Sequence, residues 1–132
     1  SLKENGTLII TTPNVWYPQA RLQYLLRGFF PSFPALAGKV EPGTHMHITP
    51  WSYPQLYIFT KLAGFCPPII VPESLHRVIR FHERIIGLPA KLHYRRKLKM
   101  ADSKEEKDFW ESAGSRESRC GSHLIVEATK IN

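Results

Sequence analysis

Cysteine is scarce: Cys66 and Cys120 are the only two in 132 residues, far apart and without a Cys-x-x-Cys spacing. A zinc site built on paired thiolates is thereby excluded. If each cysteine opens a strand and the two strands run antiparallel, the thiols sit at opposite ends of the sheet. The expectation is two reduced thiols in a cytoplasmic setting. Long apolar runs are missing as well, none approaching the roughly 20 residues that cross a bilayer, and no basic-then-apolar leader opens the chain. Ser1 at the start reads as a processed end or an excised piece. No G-x-G-x-G run follows any strand-like segment, and Ala113-Gly114-Ser115 has neither the pattern nor the context of a phosphate loop. No internal repeat is present.

Acids are few beside bases, 11 against 18, for a net charge of +7. The excess is local. Between Leu75 and Met100 stand Arg77, Arg80, Arg84, Lys91, Arg95, Arg96, Lys97 and Lys99 against the single acid Glu83. The partner question therefore belongs to 75–100. A solvated surface is the plain reading of this segment. The functional one is attraction to an anionic membrane face or an acidic substrate, where each basic residue contributes on the order of 1 kcal/mol. Charge alone also admits nucleic acid, but Tyr94 is the only aromatic in the run from Lys91 to Met100, which gives no base-stacking platform.

A hydrophobic fraction of 42% and a charged fraction of 22% suit one globular domain over residues 1–132. Its opening stretch, Leu2-Lys3-Glu4-Asn5-Gly6-Thr7-Leu8-Ile9-Ile10-Thr11-Thr12-Pro13-Asn14, reads as a glycine turn and a short strand apolar on both faces, stopped by Pro13. Such strands belong to sheets covered on both sides, as in α/β folds, whose ligands bind beyond the strands' carboxyl ends. Thr11, Thr12 and Asn14 are thus candidate ligand contacts.

A helix follows over 15–27, with Asn14 as N-cap, Leu22, Leu25, Leu26 and Phe29 as its stripe and Gly28 as its stop. Phe29 to Leu36 is an aromatic, proline-rich loop, read either as core packing or as a lid over a ligand. His45 and His47, two apart, share one side of an extended segment. That spacing suits a general base or a metal, but no acid or cysteine at metal spacing accompanies them. Ser52-Tyr53-Pro54-Gln55 is a capping box opening a helix with Leu56, Phe59, Leu62 and Ala63 inward and Gly64 at its end. Cys66 to Pro72 predicts a proline-bounded edge strand. A third helix is expected from Glu73 to Gly87, with Leu75, Val78, Ile79, His82, Ile85 and Ile86 on the buried face. A short helix over 104–112, a loop over 115–119 and a last strand over 122–129 complete the chain.

The opening stretch resembles the "LKPGG-x-LII-x-TPN" segment of Rossmann-like S-adenosylmethionine-dependent methyltransferases, which leads into the fifth strand of their seven-stranded sheet. Ile48-Thr49-Pro50-Trp51-Ser52 through Leu62-Ala63-Gly64-Phe65 is similar to a later helix of that family, and Gly121 to Lys130 to its last strand. The resemblance implies the carboxyl-terminal half of a partial Rossmann-like α/β fold. Its three-stranded mixed sheet has the last strand antiparallel in the middle, flanked by helices and a helical insert over 15–47. It implies S-adenosylmethionine as cofactor, though the residues that hold it in the family are absent, so cofactor-binding residues are none and the chain alone is expected to be inactive. The insert, with Arg21 and Tyr24, is most like methyltransferases encoded with polysaccharide or lipid-linked biosynthesis. Thr12, Asn14, Arg21, Tyr24 and Trp51 are then substrate-binding candidates, and His47, with His45 as fallback, the catalytic one. The Leu8–Thr11 edge would be uncovered, implying as partner the missing amino-terminal half or a second copy. The competing reading is a non-enzymatic module that attaches peripherally to an anionic membrane or acidic partner through 75–100.

Overall fold

A computed structural model describes residues 3, 5–28, 51–72 and 78–131. The elements run β1 (Thr7–Pro13), α1 (Pro18–Arg27), α2 (Tyr53–Leu62), β2 (Ile69–Ile70), α3 (Phe81–Met100), α4 (Lys104–Ala113), α5 (Arg116–Cys120) and β3 (His123–Thr129). The chain is α/β, with a three-stranded sheet in the order β1-β3-β2. The last strand lies in the middle, as expected. Both of its pairings are antiparallel and β1 does not touch β2, so the sheet is antiparallel rather than mixed. The registers are Ile10 opposite Val126 and Ile70 opposite Val126.

Alternation along the strands divides the sheet into two unlike faces. Leu124, Val126 and Ala128 of β3 are buried. With Tyr53 and Leu56 of α2, Tyr94 of α3 and Ala113 of α4, Leu124 and Val126 make the core, and Ile10 and Ile70 pack against it. On the other face Ile9 is 65% exposed, paired with exposed Glu127, which also pairs with exposed Ile69. The expectation that β1 is buried on both faces is therefore corrected. Its outward residues Thr7, Ile9 and Thr11 alternate with the inward ones, and the described helices of the core cover only the inward side. Among the described residues β1 pairs with β3 alone, which leaves it an edge strand.

α2 follows its sequence signals. Gln55 Oε1 accepts from the Ser52 N–H at 2.8 Å, Pro54 sits in the first turn, and Gly64 takes φ 80° just past the end. Its inward face differs from expectation: Tyr53, Leu56 and Thr60 are buried, while Phe59, Leu62 and Ala63 are exposed. The Tyr53 hydroxyl donates to the Pro68 carbonyl at 3.1 Å, and the Thr60 hydroxyl donates back to Leu56 O at 2.8 Å, so both polar groups are satisfied inside. α4 spans the expected residues; Ser103 Oγ accepts from Glu106 N, and Glu105 and Glu106 face the positive end of the helix dipole.

Three elements depart from the sequence reading. α1 begins at Pro18, because proline suits the first helical position and holds Tyr17 extended. α3 does not stop at Gly87 but runs 20 residues, through Pro89 to Met100. A proline inside a helix costs about 3 kcal/mol, offset here by packing on both sides of it. Glu83, Gly87 and Tyr94 are buried and Ala90 packs on the core, a stripe at spacings of four, three and four. Val78, His82 and Ile85, expected inside, are exposed. The expected start of this helix, 73–77, lies outside the described residues. Finally, 115–119 is not a loop: it holds α5, whose first turn is capped by Ser115 Oγ accepting from Ser118 N at 3.1 Å.

Candidate functional site

Beyond the carboxyl end of β1 the chain turns inward instead of out to solvent. Asn14 is 1% exposed. Its Nδ2 donates to three carbonyls around the end of α5: Ser118 at 2.8 Å, Gly121 at 2.9 Å and Glu117 at 3.3 Å. Its Oδ1 accepts from the Trp16 N–H at 2.9 Å, and its own N–H donates to Ser122 O at 3.0 Å. This pattern of donors and acceptors fixes the orientation of the amide. Asn14 is thus not the N-cap of α1; it fastens the β1 turn to α5 and the start of β3. Gly121 is required for this closeness, since a Cβ there would stand 2.6 Å from Glu117 O.

Around this anchor the fold gathers several of the sequence candidates. Trp51 joins Asn14 through a parallel bridge, and its ring meets Phe59 edge-on at 4.9 Å. Thr12 is buried, its hydroxyl 3.5 Å from Pro13 O. Arg21, on the first turns of α1, sets its guanidinium 5.0 Å from the Trp16 ring centroid. Tyr24 lies farther along α1 and is exposed. His45 and His47 lie outside the described residues, as does the aromatic loop over 29–36.

The chemistry of the cluster lies in its open donors. Among the described residues Arg21 Nε and Nη2 and Gln23 Oε1 are buried without a close hydrogen-bond partner, and so is Trp16 Nε1, which faces the Tyr94 hydroxyl. Burial pulls the Arg21 guanidinium below its ordinary value, and the Arg119 charge adds to this, while Cys120 and Tyr94 oppose it. Burial also pushes the Tyr94 phenol up, against the opposing influence of Trp16, Arg21 and Arg119. Buried donors of this kind cost about 1–3 kcal/mol each when left unpaired. A guanidinium with open N–H groups is chemically suited to an anion, since its fork matches a carboxylate or phosphate. Next to Tyr94 and Arg119 a cavity of about 380 Å³ opens, lined also by Lys91, Arg95, Trp110 and the acid Glu111. Lys97 stands 5.8 Å from the Trp110 ring centroid.

Sequence reasoning missed Trp16, Tyr94 and Arg119. The signal for Trp16 was local, an Asn two residues earlier able to accept its backbone N–H. Tyr94 and Arg119 carried none, because they reach the site only through the unforeseen course of α3 and α5.

A second cavity, about 670 Å³, lies between α2 and α4, lined by Tyr53, Tyr57, Pro68, Asp108, Phe109 and Ser112. At its rim the Tyr57 hydroxyl donates to Glu105 Oε1 at 2.6 Å, and Lys61 pairs with the same carboxylate. Burial, then Glu105, pushes the Tyr57 phenol well above its ordinary value, and Lys61 holds Glu105 below the usual carboxylate range. At its rim Tyr57, Glu105 and Lys61 are thus paired with one another. The β1 end is the better candidate.

Among the described residues no group of three His, Cys, Asp or Glu could hold a metal ion, and no helix is long and apolar enough to cross a membrane. Cys66 and Cys120 are free thiols. Compared with known protein families, curated proteins and solved structures, the chain matches none.

Proposed function

We propose that the chain is the acceptor-side, carboxyl-terminal portion of a cytoplasmic, Rossmann-like S-adenosylmethionine-dependent methyltransferase. Its acceptor is a small or lipid- or saccharide-linked molecule bearing an anionic group. The observation that carries this reading is the set of open donors on Trp16 and Arg21 just beyond the carboxyl end of β1. The order β1-β3-β2, with the last strand antiparallel in the middle, is the order that the resemblance implies and adds support.

The residues described do not fit the methyl donor itself. The turn after β1 is filled by buried Asn14 and Val15 rather than left as a glycine cradle, and β2 runs directly into Val71-Pro72. The donor's binding is assigned to residues other than these. What the chain contributes is positioning: Arg21 and Trp16 hold the acceptor's anionic group. Orientation of this kind supplies much of the rate in a displacement at carbon.

The test is transfer of tritiated methyl from S-adenosylmethionine by the protein that carries these residues, offered an extract of lipids and saccharides. Label should enter an anionic fraction. Arg21→Met should raise the acceptor KM by roughly 10- to 100-fold, the loss of a charge-assisted pair. Absence of transfer, or transfer untouched by Arg21→Met, would sink the reading.

A further inference from the structure

The outward face of α3 inverts the usual pattern of a surface helix. Its buried stripe, Glu83, Gly87 and Tyr94 with Ala90, leaves Phe81, Ile85, Leu88 and Leu92 on the opposite side, at spacings of four, three and four. All four are between 50% and 77% exposed. They make an apolar line about 16 Å long at 1.5 Å per residue, where a soluble helix ordinarily carries polar groups. α1, which packs on α3, leaves Leu25 and Leu26 exposed as well.

The exposed charges of α3 share one sign. Arg84, Lys91, Arg95, Arg96, Lys97 and Lys99 are all exposed, and the only acid of the helix, Glu83, is 0% exposed. Burial of Glu83 converts a nearly basic segment into an entirely basic surface.

We propose that the outward face of α3 is a docking surface for an anionic lipid bilayer. An apolar line edged by cations is the signature of a helix lying in the plane of the membrane interface, its apolar side chains among the upper acyl segments and its cations at the phosphates. Arg84, Lys91 and Arg95 are long enough to bury their stems beside the line while their charged ends reach up to the headgroups. The opposite face of α3 is already bound to the domain, so the helix presents this face without unfolding. Charge complementarity selects the occupant. A second copy meeting the same face about a two-fold axis would set these cations against their like, whereas an anionic bilayer neutralises them. Nucleic acid would leave the apolar line without a partner.

The test is co-sedimentation of the full chain with vesicles of phosphatidylcholine alone and with vesicles rich in phosphatidylglycerol, at low and high salt. Binding is expected only to the anionic vesicles and should weaken steeply with salt. Arg84→Gln, Lys91→Gln and Arg95→Gln together should weaken it about 100-fold, from about fivefold per cation. Leu88→Asp with Leu92→Asp should abolish it while the circular dichroism spectrum and melting curve stay unchanged. Equal binding to both vesicle types, or no binding to either, would overturn the proposal. So would a dimer in sedimentation equilibrium that Leu88→Asp splits while the wild type ignores vesicles, which would assign the face to a second copy.

Discussion

The carboxyl end of β1 and the outward face of α3 depart from ordinary burial in opposite senses. At the first, polar atoms are inside: the Asn14 amide, the Trp16 indole and the Arg21 guanidinium. At the second, apolar side chains are outside, from Phe81 to Leu92. The comparison also separates two kinds of buried polar group. Asn14 is fully paired and works for the fold, whereas Trp16 and Arg21 hold donors without a close partner among the described residues. The apolar line on α3 likewise lacks a partner among the described residues. Both regions point beyond the chain, one toward an anion and one toward an apolar, negatively charged surface.

Substitutions break or sharpen this contrast, beginning with the strongest. Asn14→Leu should lower stability by roughly 3 kcal/mol or more, because buried carbonyls at Ser118 and Gly121 lose their donor. Urea denaturation measures this, and a loss under about 1 kcal/mol would show that the amide is not the fastening it looks to be. Arg21→Met should act in the other sense, raising stability by about 1 kcal/mol, since it removes buried donors that have no partner. Destabilisation instead would make Arg21 a structural residue. On α3, Leu88→Asp with Leu92→Asp should move the urea midpoint by no more than about 0.5 kcal/mol in equivalent stability, as for surface changes in general; a larger loss would place these leucines in the core after all.

The smallest effect belongs to the rim of the α2–α4 cavity. Glu105 is held below the usual carboxylate range by Lys61 and Tyr57. A depressed carboxylate stabilises the fold above its unfolded-state pKa and loses that contribution as pH falls through the folded value. The pair is exposed and solvent-screened, so Glu105→Gln should lower Tm at neutral pH only slightly. It should flatten only slightly the fall in Tm on acidification below the ordinary carboxylate range. A marked Tm loss at neutral pH would contradict this.

How much of this was legible in the sequence depends on how local each cause is. α2 could be read closely because Ser52, Gln55, Pro54 and Gly64 each act within one turn. α4 was legible for the same reason, through Ser103 and its early glutamates. The central, antiparallel place of β3 was anticipated through the resemblance and is present. Harder to read was any face chosen by distant partners. The α3 sequence offers two apolar stripes, one through Val78, His82 and Ile85 and another through Gly87, Ala90 and Tyr94. The second is inside because α1 packs on α3 there and Tyr94 reaches the sheet core. Pro89 looked like an end, yet packing before and after it carries the helix through. α5 was invisible because much of its support comes from Asn14, about a hundred residues away. At the site, Thr12, Asn14, Arg21 and Trp51 were named from sequence, and the fold brings them to one end of β1. Asn14 takes an internal duty there that its spacing did not disclose.

The central claim is that the open donors at the end of β1 are a binding site, and nitrogen–proton correlation spectra of the chain titrated with methyl phosphate test it most directly. The account predicts that the Trp16 indole N–H and the Arg21 side-chain N–H move together and saturably, and that Arg21→Met abolishes the movement of the indole. A Trp16 signal that stays still while phosphate reaches saturating excess over the lysine and arginine surface would contradict it.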